Sequence, residues 1–315
     1  MPYYLGIDTS NYTTSTAIYD SEARRVIQEK KPLPVAEGKL GLKQSDAVFL
    51  HVKALGPLLE KLLPGVKPPL AAVAASGSPR DGDGSYMPCF LVGLLGAQTA
   101  AAAAGVPIHT FSHQAGHVTA ALFSAGRLEL MNRPFLAFHL SGGTTQCLLV
   151  EPDAKHMLSI STVAETLDLN AGQAVDRVGG MLGLAFPAGS ALEKLALKSR
   201  KTYAPSPTMK GVHCCLSGLE NQCAGRLAAG EAPEDIARFC LDSLACMVLE
   251  MTRRVLELYP GLPLVYAGGV MSNRLIRGRI EAAYPAFFAE PAFSCDNAAG
   301  IAVLCALAEG GISLC

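Results

Sequence analysis

Phe135-Leu136-Ala137-Phe138-His139-Leu140-Ser141-Gly142-Gly143-Thr144-Thr145-Gln146-Cys147-Leu148-Leu149-Val150 reads as a strand, a small polar loop and a return strand. The same arrangement stands at the start of the chain. There Tyr3-Tyr4-Leu5-Gly6-Ile7-Asp8-Thr9-Ser10 runs into a polar turn and Thr14-Ser15-Thr16-Ala17-Ile18-Tyr19 returns. A plain hairpin explains either copy alone, whereas the recurrence reads as a diverged internal duplication. Glycines and hydroxyls at such loops let backbone N–H groups approach phosphate oxygens closely, which is why nucleotide sites use them.

The chain of 315 residues exceeds the size at which single cores stop growing, roughly 250–300 residues, so two domains are expected. Hydrophobic residues make up 50% and charged residues 17%, a globular balance without a disordered tail. A net charge of -1 excludes a broadly basic protein that coats nucleic acid; any RNA contact must be local or shared with partners. The ten cysteines are scattered, and adjacent Cys214 and Cys215 cannot form an ordinary bridge, so reduced and mostly buried thiols are expected. No basic leader and no apolar run of spanning length is present, and the expectation is a soluble cytoplasmic protein. The Ala-rich stretch at 97–104, closed by Gly105-Val106-Pro107, reads as a tightly packed interior helix.

Between the two copies the pattern predicts a helix over 45–63, a strand over 71–75, a Gly-rich loop over 76–84, a helix through Ala104 and a strand at Ile108. The run Ser112-His113-Gln114-Ala115-Gly116-His117 follows. On a helix, positions i and i+4 share a face, so these two imidazoles can present nitrogens to one divalent metal; histidines that cap or pack are the alternative. Gln114 stands where zinc proteases carry a water-activating Glu, which argues against proteolysis by that route. Beyond the second copy lie a helix over 171–184 and a basic segment with Lys194, Lys198, Arg200 and Lys201, read as a solvated face. Pro233, Glu234 and Asp235 open a long amphipathic helix ended by Pro260-Gly261, its apolar face expected on the second sheet. Leu264-Val265-Tyr266-Ala267 ends in Gly268-Gly269, and a helix starts near Ser272-Asn273; this junction brings bare backbone and a helix N-terminus to one ligand. Asp296 precedes the C-terminal helix and, read alone, caps it.

Taken together, Gly6-Ile7-Asp8-Thr9-Ser10, the His113 and His117 pair, Ser141-Gly142-Gly143-Thr144-Thr145-Gln146, residues 172–176, Pro187-Ala188-Gly189, Leu216-Ser217-Gly218-Leu219, Ala267-Gly268-Gly269-Val270 and Asp296-Asn297-Ala298-Ala299 resemble the TsaD family. These are tRNA threonylcarbamoyladenosine synthases, also filed as M22 peptidases and O-sialoglycoprotein endopeptidases. The resemblance covers nearly the whole chain in order. It implies an α/β, actin-like ATPase superfamily fold, two ribonuclease-H-like lobes with a nucleotide and metal cleft between them, which suits the duplicated loop. The lobes expected are 1–132 with the His pair and 133–297 with the nucleotide loops, and 298–315 is expected to pack back on the first lobe.

The resemblance also implies roles. His113 and His117 bind a divalent metal, iron or zinc, Asp296 supplies an oxygen ligand, and His139 is either an additional nitrogen ligand or an imidazole packed at a strand end. Backbone N–H groups of Ser141, Gly142 and Gly143 stabilise the developing oxyanion, and the loop from His139 and Leu140 through Gly143 holds the activated substrate. Asp8 and Ser10, with Asp176, Gly189, Glu193, Gly268, Gly269 and Asn273, face the adenine nucleotide, Asp176 and Glu193 as acceptors for ribose hydroxyls. The implied reaction moves threonylcarbamoyl from its adenylate to the adenosine next to the anticodon, with tRNA as substrate in a complex with smaller partner proteins of the same pathway.

Three departures from the family pattern fall among these motifs. Asn11-Tyr12-Thr13-Thr14 stands where relatives carry Cys-Asp-Glu-Thr, Thr144 replaces the His after Ser-Gly-Gly, and Ser78-Pro79-Arg80-Asp81-Gly82 replaces a Gly-Pro-Gly loop. The competing readings are therefore a divergent paralogue that binds metal and nucleotide as scaffold or regulator, and an ATPase or phosphotransferase of the superfamily, for which Asp8 would hold magnesium.

Overall fold

The computed structural model describes residues 2–10, 12–34, 42–63, 70–82, 84–294 and 298–314. In chain order the elements are β1 (Tyr3–Asp8), β2 (Thr13–Asp20), β3 (Arg25–Pro32), α1 (Gln44–Leu62), β4 (Leu70–Ser78), α2 (Phe90–Ala104), β5 (Ile108–Ser112) and α3 (His113–Ser124). There follow β6 (Phe135–Leu140), β7 (Thr145–Asp153), β8 (Met157–Glu165), α4 (Ala171–Met181), α5 (Gly189–Ala196), β9 (Thr208–Lys210), β10 (His213–Cys215) and α6 (Ser217–Ala228). The chain continues with α7 (Pro233–Leu258), β11 (Leu264–Ala267), α8 (Arg274–Ala283), β12 (Ala286–Phe288) and α9 (Ala298–Ala308). The first compact unit comprises Met1–Asn132, Pro152–Ile160 and Ala292–Cys315, and the second Arg133–Glu151 and Ser161–Pro291.

In the first unit the sheet order is β3-β2-β1-β4-β5. β1 runs antiparallel to β2, with Leu5 opposite Ile18 and Asp8 opposite Ser15, and parallel to β4, with Ile7 opposite Ala75. Alternation along β1 sends Leu5 and Ile7 into a core shared with Leu55, Leu62, Val92 and Ala97 of α1 and α2. Gly6 faces the other way, where a Cβ would stand 2.4 Å from Ala298 O and 2.5 Å from Ala302 N. α9 therefore lies directly on β1. Its residues from Ala298 to Ala306 are all buried, as expected of a helix apolar on every side. β3, with the sequence Arg-Val-Ile-Gln-Glu-Lys-Lys-Pro, escapes the hydrophobic pattern because it is a charged edge strand.

The Ala-rich end of α2 differs from its sequence reading. Ala97 and Ala101 are buried, while Gln98, Thr99, Ala102, Ala103 and Ala104 are exposed. Alanine contributes so little side-chain contrast that its run cannot tell an interior helix from one covered on a single face.

The second unit repeats the first. Its sheet order is β12-β11-β6-β7-β8, so β6, β7 and β8 take the places of β1, β2 and β3, and β11 and β12 those of β4 and β5. β6 is antiparallel to β7, with Leu140 opposite Thr145, and parallel to β11, with His139 opposite Ala267. The duplication visible in two short loops is thus a duplicated sheet topology. α7 starts with Pro233 and the acids Glu234 and Asp235 in its first turn, and buries Leu241, Leu244, Val248, Met251 and Val255 at helical spacing. Thr252 Oγ1 on α7 meets Tyr266 OH on β11 at 2.8 Å, joining helix and sheet. Of the basic segment, Lys201 is not simply solvated: its Nζ lies 2.7 Å from Asp235 and 3.4 Å from Glu231.

Every cysteine among the described residues is unbridged. Among the described residues, no helix is long and apolar enough to cross a membrane.

Candidate active site

β5 ends at Ser112, whose Oγ accepts from Ala115 N at 3.2 Å and caps α3, so His113 and His117 open that helix one turn apart. Their rings lie edge to face with centroids 4.7 Å apart. Beneath them sits Asp8 at the end of β1, 1% exposed. His113 Nδ1 is 2.8 Å from Asp8 Oδ2, and the carboxylate also accepts from Ser76 Oγ at 2.6 Å, Ser10 N at 3.0 Å and Ser10 Oγ at 3.4 Å. Burial alone would push the Asp8 carboxyl up. The facing His113 ring and the hydrogen bonds from His113, Ser76 and Ser10 outweigh it and hold the pKa below its ordinary value. Asp8 and Ser10 are thus engaged with each other, and Asp8 with His113. Ser76, which sequence reasoning passed over, becomes visible only when β4 is laid beside β1.

Asp296 lies outside the described residues. Among the described residues no group of three or more His, Cys, Asp or Glu side chains comes together as a metal site. His139 is placed on β6 of the second unit, opposite Gln146 of β7.

A buried imidazole was not anticipated from the sequence. His51 of α1 is 0% exposed, its Nδ1 lies 2.8 Å from Thr14 Oγ1, and its Nε2 has no hydrogen-bond partner among the described residues. Burial draws its pKa from 6.5 down to about 4, against an opposing pull from Asp8. Between those two values the unfolded chain binds the proton and the folded chain does not, so stability is complete above about 6.5 and is lost as pH falls toward about 4. The loss expected from this group is on the order of 2–3 kcal/mol. Urea denaturation at pH 7.5 and 4.5 checks it: His51→Gln should lose less stability than wild type over that interval, and equal losses would rule the assignment out.

In the second unit the Ser141-Gly142-Gly143-Thr144 loop is a tight turn, with Ser141 N donating to Thr144 O at 2.7 Å and Thr144 N to Ser141 Oγ at 3.2 Å. It rests on α4. Gly172 N donates to Ser141 O at 3.0 Å, and a Cβ on Gly172 would stand 2.5 Å from Gly142 N. Gly268, with φ +97°, abuts the same loop from β11, since a Cβ there would lie 2.1 Å from Leu140 O. Gly142 and Gly143 are exposed, with open space around both Cα atoms. The Ser141 N–H is used within the turn.

The remaining residues of this unit act locally as caps. Asp176 Oδ1 accepts from Ala188 N at 2.8 Å beside Gly189, where α5 begins. Asn273 Oδ1 accepts from Leu275 N and Ile276 N at 3.0 and 3.3 Å, capping α8, and Glu193 Oε1 accepts from Arg274 N at 3.3 Å. Glu193 and Asn273 therefore meet at one helix end, next to the turn that Gly269 opens.

Two five-stranded sheets of identical order, each with a polar loop joining its paired strands, define the class: this is a protein of the actin-like ATPase superfamily fold. Solved structures share the fold, among them (R)-2-hydroxyglutaryl-CoA dehydratase component A of Acidaminococcus fermentans, 18% identical, with 96% of this chain and 97% of that one covered at a TM-score of 0.55. The activator of the 2-hydroxyisocaproyl-CoA dehydratase from Clostridium difficile, with bound ADPNP, is 12% identical, with 99% and 98% covered at a TM-score of 0.53. The chain belongs to the TsaD family, tRNA N6-adenosine threonylcarbamoyltransferase, which it matches over residues 39–303. A tRNA N6-adenosine threonylcarbamoyltransferase of Lactococcus lactis subsp. cremoris (strain SK11) is 31% identical over 205 residues, 61% of this chain; the matched stretch spans 58% of that relative's length.

Proposed function

We propose that the protein transfers a threonylcarbamoyl group from threonylcarbamoyl-adenylate to the exocyclic amine of the adenosine next to the anticodon in tRNA, working with smaller partner proteins of that pathway. The observation that carries this reading is the His113 and His117 pair, with His113 braced by Asp8, in a chain of this family. A buried carboxylate holding Nδ1 of an imidazole leaves Nε2 as the nitrogen turned to an ion, the arrangement that orients metal-bound histidines. Two imidazoles fit a borderline divalent ion such as iron or zinc, with Asp296 as the further oxygen ligand. When bound, the metal would polarise the carbamoyl carbonyl.

The chain's own groups perform the rest. The N–H groups of Gly142 and Gly143 receive the negative charge that develops on the carbonyl oxygen. Asp176 and Glu193 accept from ribose hydroxyls, and Gly268 and Gly269 let backbone approach the nucleotide. The carbon–nitrogen bond forms as the carbon–oxygen bond to phosphate breaks; AMP leaves with that electron pair, and the amine proton passes to solvent. Tyr12 and Thr13 provide no carboxylate where relatives have acids, so positioning and oxyanion stabilisation carry the rate.

The test incubates purified protein with threonylcarbamoyl-adenylate, unmodified tRNA and candidate partners, and looks for the modified nucleoside. Its formation is expected. Metal and nucleotide binding without transfer would replace the reading with a scaffold, and magnesium-dependent ATP turnover without tRNA with a phosphotransferase.

A further inference from the structure

β4 is flanked on both sides, by β1 and by β5, and its pairing sets Ala75 opposite Ile7 and Ser76 opposite Phe111. Successive residues of a strand point to opposite faces. Ala75 therefore joins Ile7 in the core against α1 and α2, while Ser76 turns with Asp8 to the other face, where His113 lies. Ser76 is buried completely, and its Oγ donates to Asp8 Oδ1 at 2.6 Å, closer than His113 Nδ1 at 2.8 Å or Ser10 N at 3.0 Å.

These bonds divide between the two carboxylate oxygens. Oδ1 accepts from Ser76 Oγ and Ser10 N, whereas Oδ2 faces His113 Nδ1 and, at 3.4 Å, Ser10 Oγ. The Ser10 bonds belong to Asp8's own turn and follow wherever that turn goes. Ser76 reaches Asp8 from a strand whose backbone is held by neighbours on either side. A carboxylate rotates easily about its Cβ–Cγ bond, so an anchor on one oxygen decides how the other is presented. An ionised carboxylate only accepts, and the nitrogen of a neutral imidazole that faces it must carry the hydrogen.

We infer that Ser76 is a positioning residue for His113: its hydroxyl fixes the rotation of the Asp8 carboxylate, and the carboxylate in turn fixes the plane and tautomer of the ring. The inference rests on the transferase reading for the use made of that ring, an ion and a substrate, whereas the orientation itself lies within the first unit. Without the hydroxyl, Oδ1 keeps only the Ser10 N–H among the described residues, and a buried oxygen short of a donor loses its fixed orientation.

The experiment reads the His113 tautomer by side-chain nitrogen NMR on metal-free protein at pH 8.5, well above the ordinary imidazole pKa of about 6.5. It also measures the affinity for zinc alone, on wild type, Ser76→Ala, Ser76→Thr, Asp8→Asn and the Ser76→Ala/Asp8→Asn double variant, each checked by its thermal midpoint. Wild type should show one tautomer, hydrogen on Nδ1, and Ser76→Ala a mixture with zinc affinity lowered about 10-fold. Ser76→Thr, which keeps the hydroxyl, should restore both readings. Added to Asp8→Asn, Ser76→Ala should cost less than about 2-fold further, because the hydroxyl acts through the carboxylate. A serine that only filled space would cost the same in both backgrounds, a comparison that decides the matter even where the extra methyl of Ser76→Thr lowers stability. Wild-type tautomer in Ser76→Ala, or equal losses in the two backgrounds, overturns the inference. A Ser76-dependent tautomer in a protein that transfers nothing would sink the transferase reading alone, whereas transfer with a ring indifferent to Ser76→Ala would sink this inference alone.

Discussion

On the proposed function, replacing His113 and His117 together with Ala should strip the protein of bound metal and lower threonylcarbamoyl transfer on the order of 1000-fold, to background. Both imidazoles stand on the first turns of α3, and no other pair of side chains on that helix offers nitrogen donors. Metal content measured by elemental analysis reads the first effect independently of activity. Retained stoichiometric metal in the double variant would contradict the assignment outright. Asp8→Asn provides the graded companion. It keeps the shape of the carboxylate but removes its charge, so metal affinity should fall about 10–100-fold while the fold persists. An Asp8→Asn protein with wild-type affinity would show that the carboxylate only fills space beneath the ring.

Gly300→Ala is expected to be the most damaging single-methyl change in the first unit. A Cβ there would stand 1.8 Å from Gly116 O and 2.9 Å from Ala120 N, both backbone atoms of α3. Backbone cannot swing aside as a flexible side chain can, so α9 and α3 must separate. The cost should reach or exceed the ~3 kcal/mol upper end of ordinary overpacking. Because the shift moves the helix that carries His113 and His117, metal affinity should fall with stability. Equilibrium denaturation with metal analysis on the same samples checks both, and Gly278→Ala serves as control, since nothing lies within 4 Å of a Cβ there. Equal effects of the two changes would mean the close approach of α9 to α3 is not what places the pair.

Much of this organisation was legible in the chain. The repeated strand, polar loop and strand announced a duplication, and sheet orders β3-β2-β1-β4-β5 and β8-β7-β6-β11-β12 repeat it strand for strand. The His pair at i and i+4 read as helical and opens α3, where the structure adds Ser112 as the cap. Capping and periodicity are local properties, written within a few residues, and survive in any tertiary context. Edge strand β3 and the exposed end of α2 were not legible, because edge position and coverage of a helix face depend on what arrives from elsewhere in the chain.

The sequence by itself determined the repeat, the helix under the imidazoles and the glycines that the loops need. Only the tertiary structure decided what stands beneath those imidazoles. Asp8, Ser76 and His113 lie on three separate elements, and α9 closes on two of them, at Gly6 of β1 and, through Gly300, at Gly116 of α3. Such partners are chosen by sheet register and by how near two backbones can come, distances that no local pattern of residues records.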